Sequence, residues 1–110
     1  MIQEYINLTE LHSTLDAFDS GNIKKMNKIA NKILKLADTI FKANGRSEFQ
    51  KILKHKNRSI RSWAAFNLIE RMEPDESVTN EAMRVIEELA KSDSLDAPGA
   101  QLWLKNWKKI

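Results

Sequence analysis

Cysteine is absent from the 110 residues, so no disulfide framework, thiolate nucleophile or cysteine-held zinc can organise this chain. Glycine and proline are scarce, three and two respectively, which leaves little punctuation and favours long helices joined by short turns. No apolar run approaches the roughly 18 residues that a membrane span needs. Residues 1–10 carry neither a basic region nor a continuous apolar stretch. No signal peptide is read there, and the cytoplasm is the expected compartment. What remains is a composition of 42% hydrophobic and 30% charged residues. That is ordinary for one globular domain, here 1–110, and too apolar for a disordered chain.

Helical periodicity runs through almost the whole sequence. Ile2, Tyr5, Ile6, Leu8, Leu11, Leu15 and Phe18 recur at mostly three- and four-residue steps, as one face of a first helix requires. Asp19-Ser20-Gly21-Asn22 breaks that pattern and supplies a cap. Met26, Ile29, Ala30, Ile33, Ala37, Ile40 and Phe41 then form a second stripe that Asn44-Gly45 stops. A short third helix is expected over 47–54, with Ser47 as its cap and Phe49, Ile52 and Leu53 facing inward. A fourth covers about 58–72 and ends before Pro74. A fifth covers about 78–92, and a last one starts near Pro98, a residue suited to a first helical position. No segment alternates apolar and polar residues convincingly, so no sheet is expected.

The most telling stretch is His55-Lys56-Asn57-Arg58-Ser59-Ile60-Arg61-Ser62-Trp63-Ala64-Ala65-Phe66-Asn67-Leu68. A short helix ends in a polar turn, and the next carries two adjacent alanines that let its backbone approach a neighbour closely. A weak internal repeat agrees. Phe49, Ile52 and Leu53 correspond to Ile86, Leu89 and Ala90 at a shift of 37 residues, and Ala64 and Leu68 to Ala100 and Leu104 at 36. Two-helix units of this length are the range of HEAT-like arrays. The expected fold is therefore all-α, a short HEAT-like helical-repeat solenoid of about six helices in antiparallel pairs.

Asn27, Leu53-Lys54-His55-Lys56-Asn57, Ile60-Arg61-Ser62-Trp63-Ala64-Ala65 and Ala97-Pro98-Gly99-Ala100 give the chain a further likeness. Over about 18–108 it resembles a family of small bacterial proteins catalogued as domain of unknown function number two thousand and nineteen. Arg58 stands where such repeats often place proline. The resemblance implies an all-helical HEAT-like domain without known catalysis. It also implies a setting, because proteins of this kind occur in bacterial toxin–immunity loci as compact antagonists of a delivered toxin.

Charge is segregated along the chain. Residues 1–23 hold four acidic groups and no lysine or arginine, residues 24–62 twelve basic and two acidic, and residues 63–96 three basic and nine acidic. A formal net charge of +3 thus hides two fields of opposite sign. Lys24, Lys28, Lys32, Lys35 and Lys42 fall on one face of the second helix. With Lys51, Lys54, Lys56, Arg58 and Arg61 they form a set that could follow a phosphate backbone, or simply a solvated face. Glu70, Glu73, Asp75, Glu76 and Glu81 cluster between the fourth and fifth helices, and Asp16 and Asp19 at the first turn. Carboxylates at helix starts are expected on electrostatic grounds alone. The sharper reading is a surface that fills the basic active site of a toxin, such as a nuclease.

Catalytic and metal readings are weak. His12 and His55 lie on different elements without metal-ligand spacing, and His55 reads as a helix-end residue contacting terminal carbonyls. Glu87 and Glu88 point in different helical directions, while Ser59 and Ser62 have no basic partner nearby in sequence. Arg61 reads as structural, bonded across the turn to Asn57 or a neighbouring carbonyl. Trp63, Trp103 and Trp107 are rich usage for this length, and the last two share a ridge. They either cover the open end of the stack or anchor a partner.

These observations lead to one expectation: a cytoplasmic, non-catalytic protein-binding module without metal or cofactor. In its specific form it is an immunity protein that forms a heterodimer with a cognate toxin domain, through Asp16, Asp19, Glu70, Glu73, Asp75 and Glu76 with Trp103 and Trp107 as anchors. The alternative is a small nucleic-acid-binding module that uses Lys24, Lys28, Lys32, Lys35, Lys42, Lys54, Lys56 and Arg58.

Overall fold

Side-chain caps place three of the helix starts. In the computed structural model, which describes residues 1–15 and 19–107, the chain forms α1 (Ile2–Thr14) and α2 (Ser20–Lys42). They are followed by α3 (Arg46–Phe49) with a 3-10 segment (Gln50–Lys54), α4 (Arg58–Arg71), α5 (Glu76–Ala90) and α6 (Ala97–Trp107). The fold is all-α, with no strand among the described residues. Among those residues no helix is long and apolar enough to cross a membrane. Asp19 Oδ1 accepts from the Gly21 N–H at 2.9 Å, Asn57 Oδ1 from the Ser59 N–H at 2.9 Å, and Asp75 Oδ1 from the Val78 N–H at 2.8 Å. Each satisfies an amide that a helix start leaves free.

The stop at Asn44-Gly45 is a Schellman ending. Asn44 takes φ 61°, the Asn44 N–H donates to the Phe41 carbonyl at 3.0 Å, and the Gly45 N–H donates to the Ile40 carbonyl at 2.8 Å. A Cβ on Gly45 would lie 2.7 Å from Ile40 Cγ2 and 2.9 Å from its carbonyl oxygen, so only glycine fits.

Three expectations need correction. The third helix starts at Arg46 with Gly45 before it and no side-chain cap; Ser47, already inside the first turn, is no cap. It also tightens to a 3-10 segment, whose three-residue period keeps Phe49, Ile52 and Leu53 all buried. The fifth helix begins at Glu76 because Asp75 caps it. His55 does not bond terminal carbonyls. Its Nδ1 accepts from the Asn57 N–H at 3.0 Å, and its own carbonyl accepts from Arg61 at 2.8 Å. The tight turn leaves the Asn57 amide facing the ring, so the imidazole is an acceptor there. Phe18, placed on the first helix by periodicity, lies outside the described residues.

α4 is the central rod, packed against α5, the 3-10 segment, α1 and α2. Ala64 and Ala65 are completely buried, which fits the close approach read from their sequence. Tyr5 of α1 meets Phe49 edge-on, centroids 4.7 Å apart, and its hydroxyl accepts from Asn67 Nδ2 of α4 at 2.6 Å. Burial raises the Tyr5 phenol well above its ordinary value, partly offset by Asn67, so the hydroxyl stays neutral. Arg46 donates to the carbonyls of Met72 at 3.2 Å and Glu73 at 2.6 Å, which ties down the end of α4. Gln101 Nε2 donates to the Ala90 carbonyl at 2.8 Å and fixes α6 on the end of α5.

Candidate functional site

α4 carries apolar side chains nearly all round, so burying Ile60, Ala64 and Leu68 still leaves Trp63 and Phe66 half-buried on its outer side. Trp63, Phe66 and Glu70 follow at three- and four-residue steps and share one face. α1 and α6 flank that face. Between them lies an open groove of about 450 Å³, within the range of ligand-binding clefts. α1 contributes His12, α6 contributes Ala100 and Trp103, and Asp96 stands in the turn before α6.

The rings are ordered by one another. Trp103 meets Phe66 edge-on with centroids 5.3 Å apart and stacks on Trp107 at 5.3 Å with an 8° interplanar angle. The ridge expected from the four-residue spacing is therefore present. His12 stands edge-on to Trp63 at 5.2 Å. Trp103 Nε1 donates to Glu70 Oε1 at 2.7 Å, which fixes the indole and leaves most of the carboxylate's acceptor capacity open.

Among the described residues the charged lining groups are the carboxylates of Glu70 and Asp96, with no lysine or arginine on the groove wall. Burial holds the His12 imidazole below its ordinary value, opposed by the charge of Asp96, so at neutral pH the ring adds no positive charge. The Ser62 hydroxyl donates to the Arg58 carbonyl at 2.9 Å and that of Ser13 to the Glu10 carbonyl at 2.6 Å. Both are held by their own helices rather than by a base. Among the described residues no three His, Asp or Glu side chains gather in a way that could hold a metal ion. Flat aromatic walls beside carboxylates suit a ligand that is both apolar and basic.

Of the acidic residues singled out in the sequence, Glu70 alone among those described lines this groove. Asp19 and Asp75 cap α2 and α5, and Glu76 sits in the first turn of α5, where the helix dipole favours it. Glu73 is exposed in a left-handed conformation, φ 46°, at the α4–α5 turn. Asp16 lies outside the described residues. On the basic side Lys24, Lys28, Lys32, Lys35, Lys42, Lys54, Lys56 and Arg58 are all exposed. Lys51 pairs with Glu48 at 3.3 Å, and Arg61 with Glu88 at 3.1 Å besides its bond to the His55 carbonyl. Arg61 is thus structural, as expected.

Phe66 and Asp96 escaped the sequence reading. The available signal for Phe66 was the surplus of apolar residues on α4, more than one buried stripe can use. Nothing local marks Asp96. In comparisons with known proteins the chain matches no family model, no curated protein and no solved structure.

Proposed function

We propose that this chain is a non-catalytic protein-binding module of short HEAT-like build. In its specific form it is a cytoplasmic bacterial immunity protein, akin to the unknown-function family it resembles, that pairs with a cognate toxin domain and blocks its active site. One observation carries the reading: Glu70 and Trp103, from separate acidic and aromatic sets 33 residues apart, are hydrogen-bonded on the wall of one groove. A half-buried aromatic anchor beside an unsaturated carboxylate has the composition of a binding hot spot once a partner covers it. It selects arginine or lysine on the partner, by hydrogen bonds to the acid and by approach to the indole face.

A toxin that handles nucleic acid presents such cations in its active site, and a negative surface accelerates the encounter and rejects other partners. Exposed Glu73, Asp75 and Glu76 continue the acidic character at the α4–α5 turn. Leu102 and Trp107, 60% and 39% exposed, extend the apolar surface along α6.

The test is co-expression with the product of the neighbouring gene, reading complex formation and growth protection together. Expected is a one-to-one complex and protection that Glu70→Lys or Trp103→Ala removes while circular dichroism stays helical. A neighbour without a toxin domain, together with unprotected cells, would defeat the reading.

A further inference from the structure

α2 carries a second surface whose composition the groove does not explain. Lys24, Lys25, Lys28, Lys32, Lys35 and Lys42 are all exposed. At 3.6 residues per turn they fall within an arc of about 100°, and from first to last they span about 27 Å. The opposite side of the same helix, Ile29, Ile33, Ala37 and Ile40, is buried in the core, so the lysine side has no apolar face with which to enter a lipid surface.

Two features run against what a merely solvated helix would choose. Lys24 with Lys28, Lys28 with Lys32, and Lys32 with Lys35 are like charges at three- and four-residue steps, which weaken a helix. Lys24 and Lys25 also lie near the start of α2, whose first turn has no acidic residue, and there the helix dipole disfavours cations. Asp19 caps that start through the Gly21 N–H, but among the described residues no carboxylate pairs with any of these lysines. The ion pairs among the described residues are Lys51–Glu48, Arg61–Glu88 and Arg71–Asp38, and the one acid on α2, Asp38, belongs to the last of these. Six ammonium groups without an ion pair among the described residues therefore stand in a row against local preference.

We infer that this face binds the phosphate backbone of double-stranded nucleic acid, without reading its sequence. The exposed residues between the lysines, Asn27, Asn31 and Thr39, are polar and offer hydrogen bonds to phosphate oxygens. They provide no apolar centre of the sort a protein interface needs, which argues against an acidic protein. They also provide no aromatic platform on which unpaired bases could stack, which favours a duplex. Steps of four residues place successive lysines about 6 Å apart, and the row matches about 8 base pairs of duplex. The inference is independent of the groove and of the toxin partner.

The test is fluorescence anisotropy of the full chain with a labelled 20-base-pair duplex of arbitrary sequence, titrated over a series of salt concentrations. Expected is binding at low salt that weakens with a log–log slope of about −3.6 to −5.4, corresponding to four to six phosphate contacts. The triple variant K28E/K32E/K35E, at exposed positions, should lose this binding at least tenfold with unchanged helical circular dichroism, whereas Trp103→Ala should leave it intact. Three results would overturn the proposal: undetectable binding at low salt, a slope near zero, or equal binding by the triple variant. Competition by polyglutamate of matched charge as effective as by unlabelled duplex would also overturn it and assign the face to acidic proteins.

Discussion

The groove and the lysine face of α2 differ in how their charged and polar groups are satisfied. In the groove the indole of Trp103 is held by Glu70, its ring by Phe66 and Trp107, and the ring of His12 by Trp63. On α2 six lysines have no ion-pair partner among the described residues, and the neighbouring cations oppose one another. A surface organised internally is rigid before anything binds, and rigid aromatic anchors lose little entropy on binding. A surface of unpaired flexible cations is held by long-range charge alone and is sensitive to salt. The two proposed modes of recognition thus differ in kind and lie on different elements.

Both surfaces depend on α4 being held in place, so the largest effect is expected from its anchor on α1. Tyr5→Ala removes a fully buried ring and leaves the Asn67 amide without its partner. A loss of about 3–5 kcal/mol in urea unfolding is expected. Tyr5→Phe keeps the ring and should lose about 1–3 kcal/mol, the penalty of an unsatisfied buried donor. Equal losses for the two would show that the hydrogen bond rather than the ring positions α1.

Trp103→Ala breaks the groove alone. Losing two ring contacts should lower stability by about 1–3 kcal/mol and abolish partner binding, with duplex binding retained. The acidic residues can be separated in the same way. Asp75→Ala should lower stability by about 1 kcal/mol because it uncaps α5, and Asp75→Asn, which keeps an acceptor, should restore most of it. If Asp75→Asn still loses partner binding, the charge at that turn faces the partner as well as the helix.

Acid should act on the groove side through His12. Its pKa is lowered below 6.5 in the folded chain, so the unfolded chain takes up a proton first as pH falls. The stability this group contributes is therefore complete above about 6.5 and is lost as pH drops through the folded value. Urea midpoints measured between pH 7.5 and 5.5 should fall, and His12→Phe should flatten that dependence. The smallest effect has the opposite sign. Lys24→Glu should raise stability by about 0.3–0.5 kcal/mol, through the helix dipole and a new pair with Lys28. A loss instead would mean that the lysine row supports the fold.

Local chemistry made the scaffold legible. Asp19, Asn57 and Asp75 cap helices two or three residues away, and Asn44-Gly45 closes α2 on its own last turn. The lysine row was legible for the same reason, since one helix carries all of it. The groove was not. Trp103 and Glu70 are 33 residues apart and Tyr5 and Asn67 are 62 apart, and no periodicity within a single helix encodes which outer faces meet. Trp103 and Glu70 could each be singled out by type, but their union needed α6 folded back beside α4. The sequence also favoured a regular 47–54 helix, whereas the backbone tightens to place Phe49, Ile52 and Leu53 together in the core.

All three indoles gather around one groove: two line it and the third lies flat on one of those two. Ultraviolet emission from this protein therefore comes almost entirely from the place where a guest would sit, with the Glu70 carboxylate against one emitter. Whatever enters should shift or quench that light without any added dye, while events on the far side of α2 should leave it dark to the spectrometer.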